Sequence, residues 1–280
     1  LREAFGPLPG FLTGWTSFFV GFSAPIAAAT IAFAAFLSHF VPAWSPENFL
    51  WSGHLGPFAV HFSAGQLVAL STFWALSFAH ITGIRRAGQV QVLLTIGKIF
   101  SIAALIVLGL WFGRGDWGNF HSGPAGALPS GVFQNAAVSL IFVLYSFSGW
   151  NAAAYIAGEI RDPHKTLPFS LIAGTAIVTV LYIGLNILFL YGLGIPGMSG
   201  VMQVGEKASL ALFGPVGAHV VAAMMAISIL ASASAMIFAG PRVYFAMAAD
   251  GVFLKRLGNI HPLYRSPSAS IVWQGLWTSC

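Results

Sequence analysis

Six stretches of this chain are apolar over roughly 20 residues or more, and that pattern constrains the fold before any motif does. A helix needs about 20 apolar residues to cross a hydrocarbon core ~30 Å thick. The stretches run from Phe11 to Leu37, Ala64 to Thr82, Val90 to Phe112, Val132 to Gly158, Phe169 to Leu193 and Phe213 to Ala246, and a seventh begins at Ser270. Lipid offers backbone N–H and C=O groups no partner, so each stretch must satisfy its own as a helix. Charged residues make up 7% of the chain and hydrophobic ones 57%, where about 25% charged is usual. Twelve Lys/Arg and seven Asp/Glu cannot supply the polar shell of a soluble 280-residue domain. The sequence therefore predicts an all-α, polytopic helical membrane protein, with residues 1–280 as a single transmembrane domain. That domain reads as incomplete. Leu1 is not a start methionine, no signal peptide precedes the first span, and the last apolar run has barely begun at Cys280.

In such a chain a net charge of +5 bears on topology rather than on nucleic acid. Arg2, Arg85, Arg86, Arg161, Lys165, Lys255, Arg256 and Arg265, with Arg242 near its helix end, fall in alternate connections on one side, whereas Arg114 and Lys207 fall on the other. Nine against two assigns the first group to the cytoplasm. Loops 83–89, 159–168 and 248–269 are then cytoplasmic, in a multi-pass protein of the plasma (inner) membrane. The outer connection from Ser38 to Ser63 carries His39, His54 and His61 but no Lys or Arg. Cys280 is the only cysteine, which excludes an intrachain disulfide and a cysteine-ligated metal. There is no His-Glu-x-x-His, no Gly-x-Ser-x-Gly and no pair of membrane carboxylates, so the chain is not read as an enzyme and no cofactor or metal is expected.

Several residues interrupt the apolar pattern. The fourth stretch contains Tyr145-Ser146-Phe147-Ser148-Gly149-Trp150-Asn151, where small and polar residues loosen the helix near mid-membrane, and it leaves through Gly158-Glu159-Ile160-Arg161-Asp162-Pro163. Pro168 suits the first turn of the next helix, and Thr166 or Asp162 can cap it. In the first stretch Gly21, Ser23 and Ala24 either let neighbouring helices approach or line a cavity. Lys98 lies about ten residues beyond Gly88, or ~15 Å at 1.5 Å per residue. It either snorkels to the surface or faces inward and takes part in ion coupling. The sixth stretch carries Ser228, Ser232 and Ser234, and serines there commonly bond their own backbone. It opens with Leu212-Phe213-Gly214-Pro215, close to the Ala4-Phe5-Gly6-Pro7 that opens the first. The two start on opposite sides, as repeats of inverted topology do.

The motif at 145–163 resembles the sixth-helix signature of the amino acid-polyamine-organocation permeases. Leu1-Arg2-Glu3-Ala4-Phe5-Gly6-Pro7 with Gly14-Trp15 resembles the start of their third helix, and Gly240-Pro241-Arg242-Val243-Tyr244 with Asp250-Gly251 the end of their eighth. The resemblance implies a partial LeuT-type inverted-repeat transporter covering helices three to eight and the start of nine. It further implies a secondary transporter of amino acids or related amines working by alternating access. In that family substrate sits between broken helices one and six, and helix one, which holds the carboxylate, has no counterpart here. If the helix unwinds at Ser146–Gly149, the carbonyls that end its outer half form the negative end of its dipole, for which an ammonium group is the natural ligand.

By that resemblance the substrate-binding residues are Tyr145, Ser146, Phe147, Ser148, Gly149 and Asn151, with Ser234 on the far wall of the pocket; Gly21 and Ser23, read as cavity-lining residues of the first stretch, complete the set. Carbonyls of Tyr145, Ser146 and Ser148 take the α-amino group, Tyr145 closes over the substrate, Gly149 gives slack, and Asn151 reaches the side chain or helix one. Lys98 and Ser232 are the ion-coupling residues, Lys98 standing where sodium-coupled relatives hold a cation, so that exchange is sodium-independent or proton-coupled. Ser234 stands where many relatives have asparagine. The expected partners are an amino acid or amine, the lipid bilayer, and a proton or counter-substrate, with no nucleic acid. A transporter-fold sensor or a channel is the alternative.

Overall fold

The computed structural model describes residues 2–55, 58–121, 131–201 and 204–280, so that Leu1, which opens the third-helix motif, lies outside the described residues. Among the described residues, five helices are long and apolar enough to cross a membrane. They are α1 (Pro7–Leu37), α2 (Ala64–Ile81), α3 (Ile84–Phe112, apolar from Ala87), α6 (Pro163–Met198) and α7 (Val204–Ala249). Between α3 and α6 lie α4 (Val132–Ser146) and the single turn α5 (Ala152–Tyr155), and α8 (Ser268–Thr278) ends the order. The expected Val132–Gly158 span is thus not continuous. Its helix stops after 15 residues, about 22 Å of rise. The outer connection also holds an antiparallel hairpin, β1 (Phe49–Leu55) on β2 (Phe58–Ser63), which an all-helical reading does not include. Aromatic and β-branched residues such as Phe49, Trp51 and Val60 favour that extended form. Ser63 ends β2 and caps α2, its hydroxyl accepting from the Gln66 N–H at 3.2 Å while Gln66 Oε1 accepts from the Ser63 N–H at 2.8 Å.

The helix starts are set by proline and glycine. α6 begins at Pro163, six residues earlier than the apolar pattern suggests, with Asp162 in the left-handed region at φ 50° and accepting from the Lys165 and Thr166 N–H groups through its carbonyl. Pro163 rather than Pro168 fills the first turn, where a missing N–H leaves no bond unmade. Inside α6 the chain turns at Gly194 (φ 63°), and inside α7 at Gly214 (φ 71°, ψ −165°). Gly6 has nearly the same backbone (φ 90°, ψ 177°) directly before Pro7. The two Phe-Gly-Pro segments therefore share their conformation as well as their sequence, each launching a long membrane helix.

Two compact units are present, residues 1–101 with 219–280, and residues 102–218. In the first, α1 and the C-terminal part of α7 run antiparallel. Gly14 faces Met247, Phe18 meets the ring of Tyr244 at 4.8 Å, Phe22 faces Gly240 and Ile26 packs on Ile237. Each step of four residues along α1 is matched by a step of three or four back along α7. Ile26, Phe73, Ile237 and Ile271, one each from α1, α2, α7 and α8, form one core cluster. Lipid is as apolar as these side chains, so close packing rather than removal from water holds them together. In the second unit α3 and α6 meet through Gly109 against Leu188 and Gly184 against Ile106. The Tyr191 carbonyl accepts from the Asp116 N–H and from Asn119 Nδ2, both at 3.0 Å, while the Tyr191 hydroxyl donates to the Gly113 carbonyl at 3.2 Å.

Candidate functional site

In the second unit α4 ends where the sequence turns polar. Phe147 leaves helical geometry at φ −95°, ψ 5°, and Gly149 adopts φ 94°, which side chains rarely tolerate. Past this point the chain makes tight turns, with the Ser148 N–H on the Tyr145 carbonyl and the Ala152 N–H on the Gly149 carbonyl, each at 3.0 Å. The expected inner half-helix to Glu159 is therefore only α5 followed by a 3-10 turn at Ala157–Glu159, because Gly149 reverses the backbone and short-range bonds take over.

Around this break the polar atoms are arranged as follows. The Ser146 carbonyl accepts from the Tyr182 hydroxyl at 2.9 Å, and the Ser146 hydroxyl donates back to the Phe142 carbonyl at 2.9 Å. Among the described residues the Ser148 carbonyl accepts no hydrogen bond. Phe147 packs edge-on against Tyr182 at 5.2 Å. Asn151 Nδ2 donates to the Tyr155 hydroxyl at 2.7 Å, and the Tyr145 side chain is exposed. A groove of about 680 Å³ runs beside them, lined by Val143, Ser146, Phe147, Thr179, Tyr182 and Asn186 among others.

The remaining candidates belong to the first unit. Lys98 Nζ donates to Ser232 Oγ at 2.9 Å, and Ser232 in turn donates to the Ser228 carbonyl at 3.2 Å, so the structure brings the two ion-coupling candidates into contact. Ser234 is fully buried and bonds to Nε2 of buried His80 at 3.0 Å. Two residues apart on α7, Ser232 and Ser234 face roughly opposite ways, one tied to α3 and the other to α2. Ser23 is buried with its hydroxyl on the Phe18 carbonyl at 2.6 Å, and Gly21 is exposed. The sequence reading gives Ser23 either a packing role or a place lining a cavity, and its hydroxyl bonds back along α1.

Three participants escape the sequence reading. His80 sits in a membrane helix with its ring 5.7 Å from Phe238, over which the Arg242 guanidinium stacks at 3.8 Å. An ionisable residue inside an apolar span is the signal that finds it. Tyr182 and Gln274, polar groups within apolar runs, carry the same signal.

The sequence has counterparts among known proteins. The sequence matches the family described as Amino acid permease over residues 1–279. The chain belongs to that family. The chain is 29% identical over 280 residues to the serine/threonine exchanger SteT of Bacillus subtilis (strain 168), covering 98% of this chain and 58% of that one. It is 27% identical to b(0,+)-type amino acid transporter 1 of Mus musculus, over 99% of this chain and 54% of the relative. With the large neutral amino acids transporter small subunit 2 of Mus musculus the identity is 25%, over 99% and 50%. The chain thus spans about half the length of the curated relatives it matches. These matches place the chain in the amino acid-polyamine-organocation superfamily, and these curated relatives are named as exchangers and transporters.

Proposed function

We propose that the full protein is a secondary transporter that exchanges amino acids or related amines across the plasma (inner) membrane by alternating access, and that the α4 break holds the substrate amino group. The observation that carries this reading is the end of the apolar helix α4 at Ser146. The last carbonyls of a helix carry partial negative charge and lack intrahelical donors. Tyr145 and Ser146 already accept one hydrogen bond each, from the Ser148 N–H and the Tyr182 hydroxyl. A carbonyl oxygen has two lone pairs. Each therefore keeps room for an ammonium donor, as does Ser148.

Tyr145, exposed at the end of α4, is positioned to close over the substrate, and Lys98 on Ser232 supplies a fixed positive charge where a coupling cation would otherwise sit. Sodium-independent exchange or proton coupling follows from that charge. A relative named a serine/threonine exchanger supports exchange over channel-like flux. Reconstitution of the full-length protein in liposomes tests the proposal. Saturable exchange of labelled amino acids is expected. Flux without saturation would indicate a channel, binding without flux a sensor, and either outcome, or no handling of any amino acid or polyamine, would overturn it.

A further inference from the structure

α1 carries a defect that two other helices hold in place. Over Ser17–Phe22 it winds as a π-helix, with wider turns than the α-helices on either side, and Phe22 leaves it at φ −114°. Such insertions in membrane helices commonly mark functional positions, because they displace carbonyls from the regular ladder. Three consecutive carbonyls of this segment accept side-chain donors. Ser17 accepts from the Tyr244 hydroxyl at 3.2 Å, Phe18 from the Ser23 hydroxyl at 2.6 Å, and Phe19 from Trp277 Nε1 at 3.0 Å.

Tyr244, fully buried on α7, has a second polar neighbour in Gln274 of α8. Gln274 Nε2 lies 3.5 Å from the Tyr244 hydroxyl. Gln274 is 1% exposed, and its Oε1 has no hydrogen-bond partner among the described residues. Turning the amide over would present Oε1 to the tyrosine as an acceptor in place of the Ser17 carbonyl. The ten-residue helical segment Pro7–Thr16 is bounded at one end by Gly6 in the left-handed region and at the other by the π turn. Within it Gly14 lies against the flexible side chain of Met247, and Trp15 meets Phe253 edge-on at 6.0 Å. The segment has a swivel at each end and side-chain contacts between.

We propose that the Ser17–Phe22 turn is a two-state joint, and that Tyr244 and Gln274 are positioning residues which set its winding. In the state described here Tyr244 donates to Ser17 and holds the π turn. In the other state it donates to Gln274 Oε1, the turn relaxes toward α-helical winding, and the 7–16 segment rotates by up to about 100°, one residue's worth. No bond other than hydrogen bonds is exchanged. The link from this joint to turnover rests on the transport reading above; the joint itself does not.

Gln274→Leu in the full-length protein is the decisive variant, with Gln274→Met as a second should the first fail to fold. Either removes the alternate acceptor but leaves the Tyr244–Ser17 bond intact. The expected result is a maximal exchange rate lowered about tenfold, with the half-saturating concentration within about twofold. Deleting Val20, an exposed residue of the π turn, keeps both flanking registers and removes the extra residue. That deletion should retain amino acid binding and lose exchange. Wild-type maximal rates in both Gln274 variants would overturn the proposal. Amide hydrogen exchange over residues 17–23 gives a readout independent of transport. Loss of the second state should slow exchange there about tenfold in the Gln274 variants, and unchanged protection would overturn the joint even if the wild-type protein carried no amino acid.

Discussion

Lys98 places a cation in an otherwise apolar part of α3, and the Ser232 hydroxyl at 2.9 Å is its partner. Lys98 is half-buried, and removing that acceptor takes away a hydrogen bond to a charged group, worth about 1.5–3 kcal/mol. Ser232→Ala is therefore expected to lower thermal stability by roughly that amount in detergent, with the change in unfolding midpoint as the measurement. Lys98→Ala should alter turnover or the pH profile of exchange, and an unaltered profile with full activity would leave only a snorkelling role. At Gly240 the constraint is steric. A Cβ there would lie 2.8 Å from Gln274 Nε2 and 2.9 Å from Phe22 Cγ. Gly240→Ala should destabilise the protein by about 1–3 kcal/mol, as overpacking does, read as lost monodisperse yield and a lower midpoint. Lys98 was legible in the sequence because a charge stands out in an apolar run. Ser23 was not, because its bond to Phe18, five residues back, exists only where α1 winds as a π-helix, a feature that apolar periodicity does not encode.

At the scale of elements, the apolar runs located the spans and the glycines located their breaks. Gly214 and Gly6 precede proline in both copies of the Phe-Gly-Pro motif, and a left-handed glycine followed by a proline-led helix is what that dipeptide favours. The inner part of the fourth stretch and the start of α6 were less legible. Local hydrogen bonds at Gly149 and Asp162 decide them, and hydropathy is blind to those. The hairpin at 49–63 was hidden for a related reason, since a short aromatic run between two spans reads equally as loop or strand. Gly149 offers a clean test of the α4 break. At φ 94° with nothing within 4 Å of an added Cβ, Gly149→Ala meets backbone strain alone, about 1–2 kcal/mol. The substitution should favour rewinding of the break and raise the half-saturating amino acid concentration several-fold with little loss of fold. An unchanged value would show that the turn does not hold substrate.

For the whole molecule the remaining question is which way it faces. The charge count assigns Arg2 and the 248–269 loop to one side, and Arg2 Nη1 lies 2.8 Å from Asp250 Oδ2. The same count puts the α2–α3 connection on that side, and the Ser266 hydroxyl donates to the Ile81 carbonyl at 2.7 Å. Residues assigned to one face by composition thus adjoin within the first compact unit. Anionic lipid and the energetics of insertion retain Lys and Arg on the cytoplasmic side, so these contacts and the charge bias support one orientation. Single cysteines at His164, Asn259 and His54, each in a full-length background carrying Cys280→Ser, can be exposed to a membrane-impermeant thiol reagent in right-side-out and in inverted vesicles. Positions 164 and 259 should label only in inverted vesicles and position 54 only in right-side-out ones. The reverse pattern would invert the protein, and with it the assignment of Tyr145 to the outer side of the site. Labelling of position 164 together with position 54 would break the alternation of spans and show that the chain between α4 and α6 does not complete a crossing.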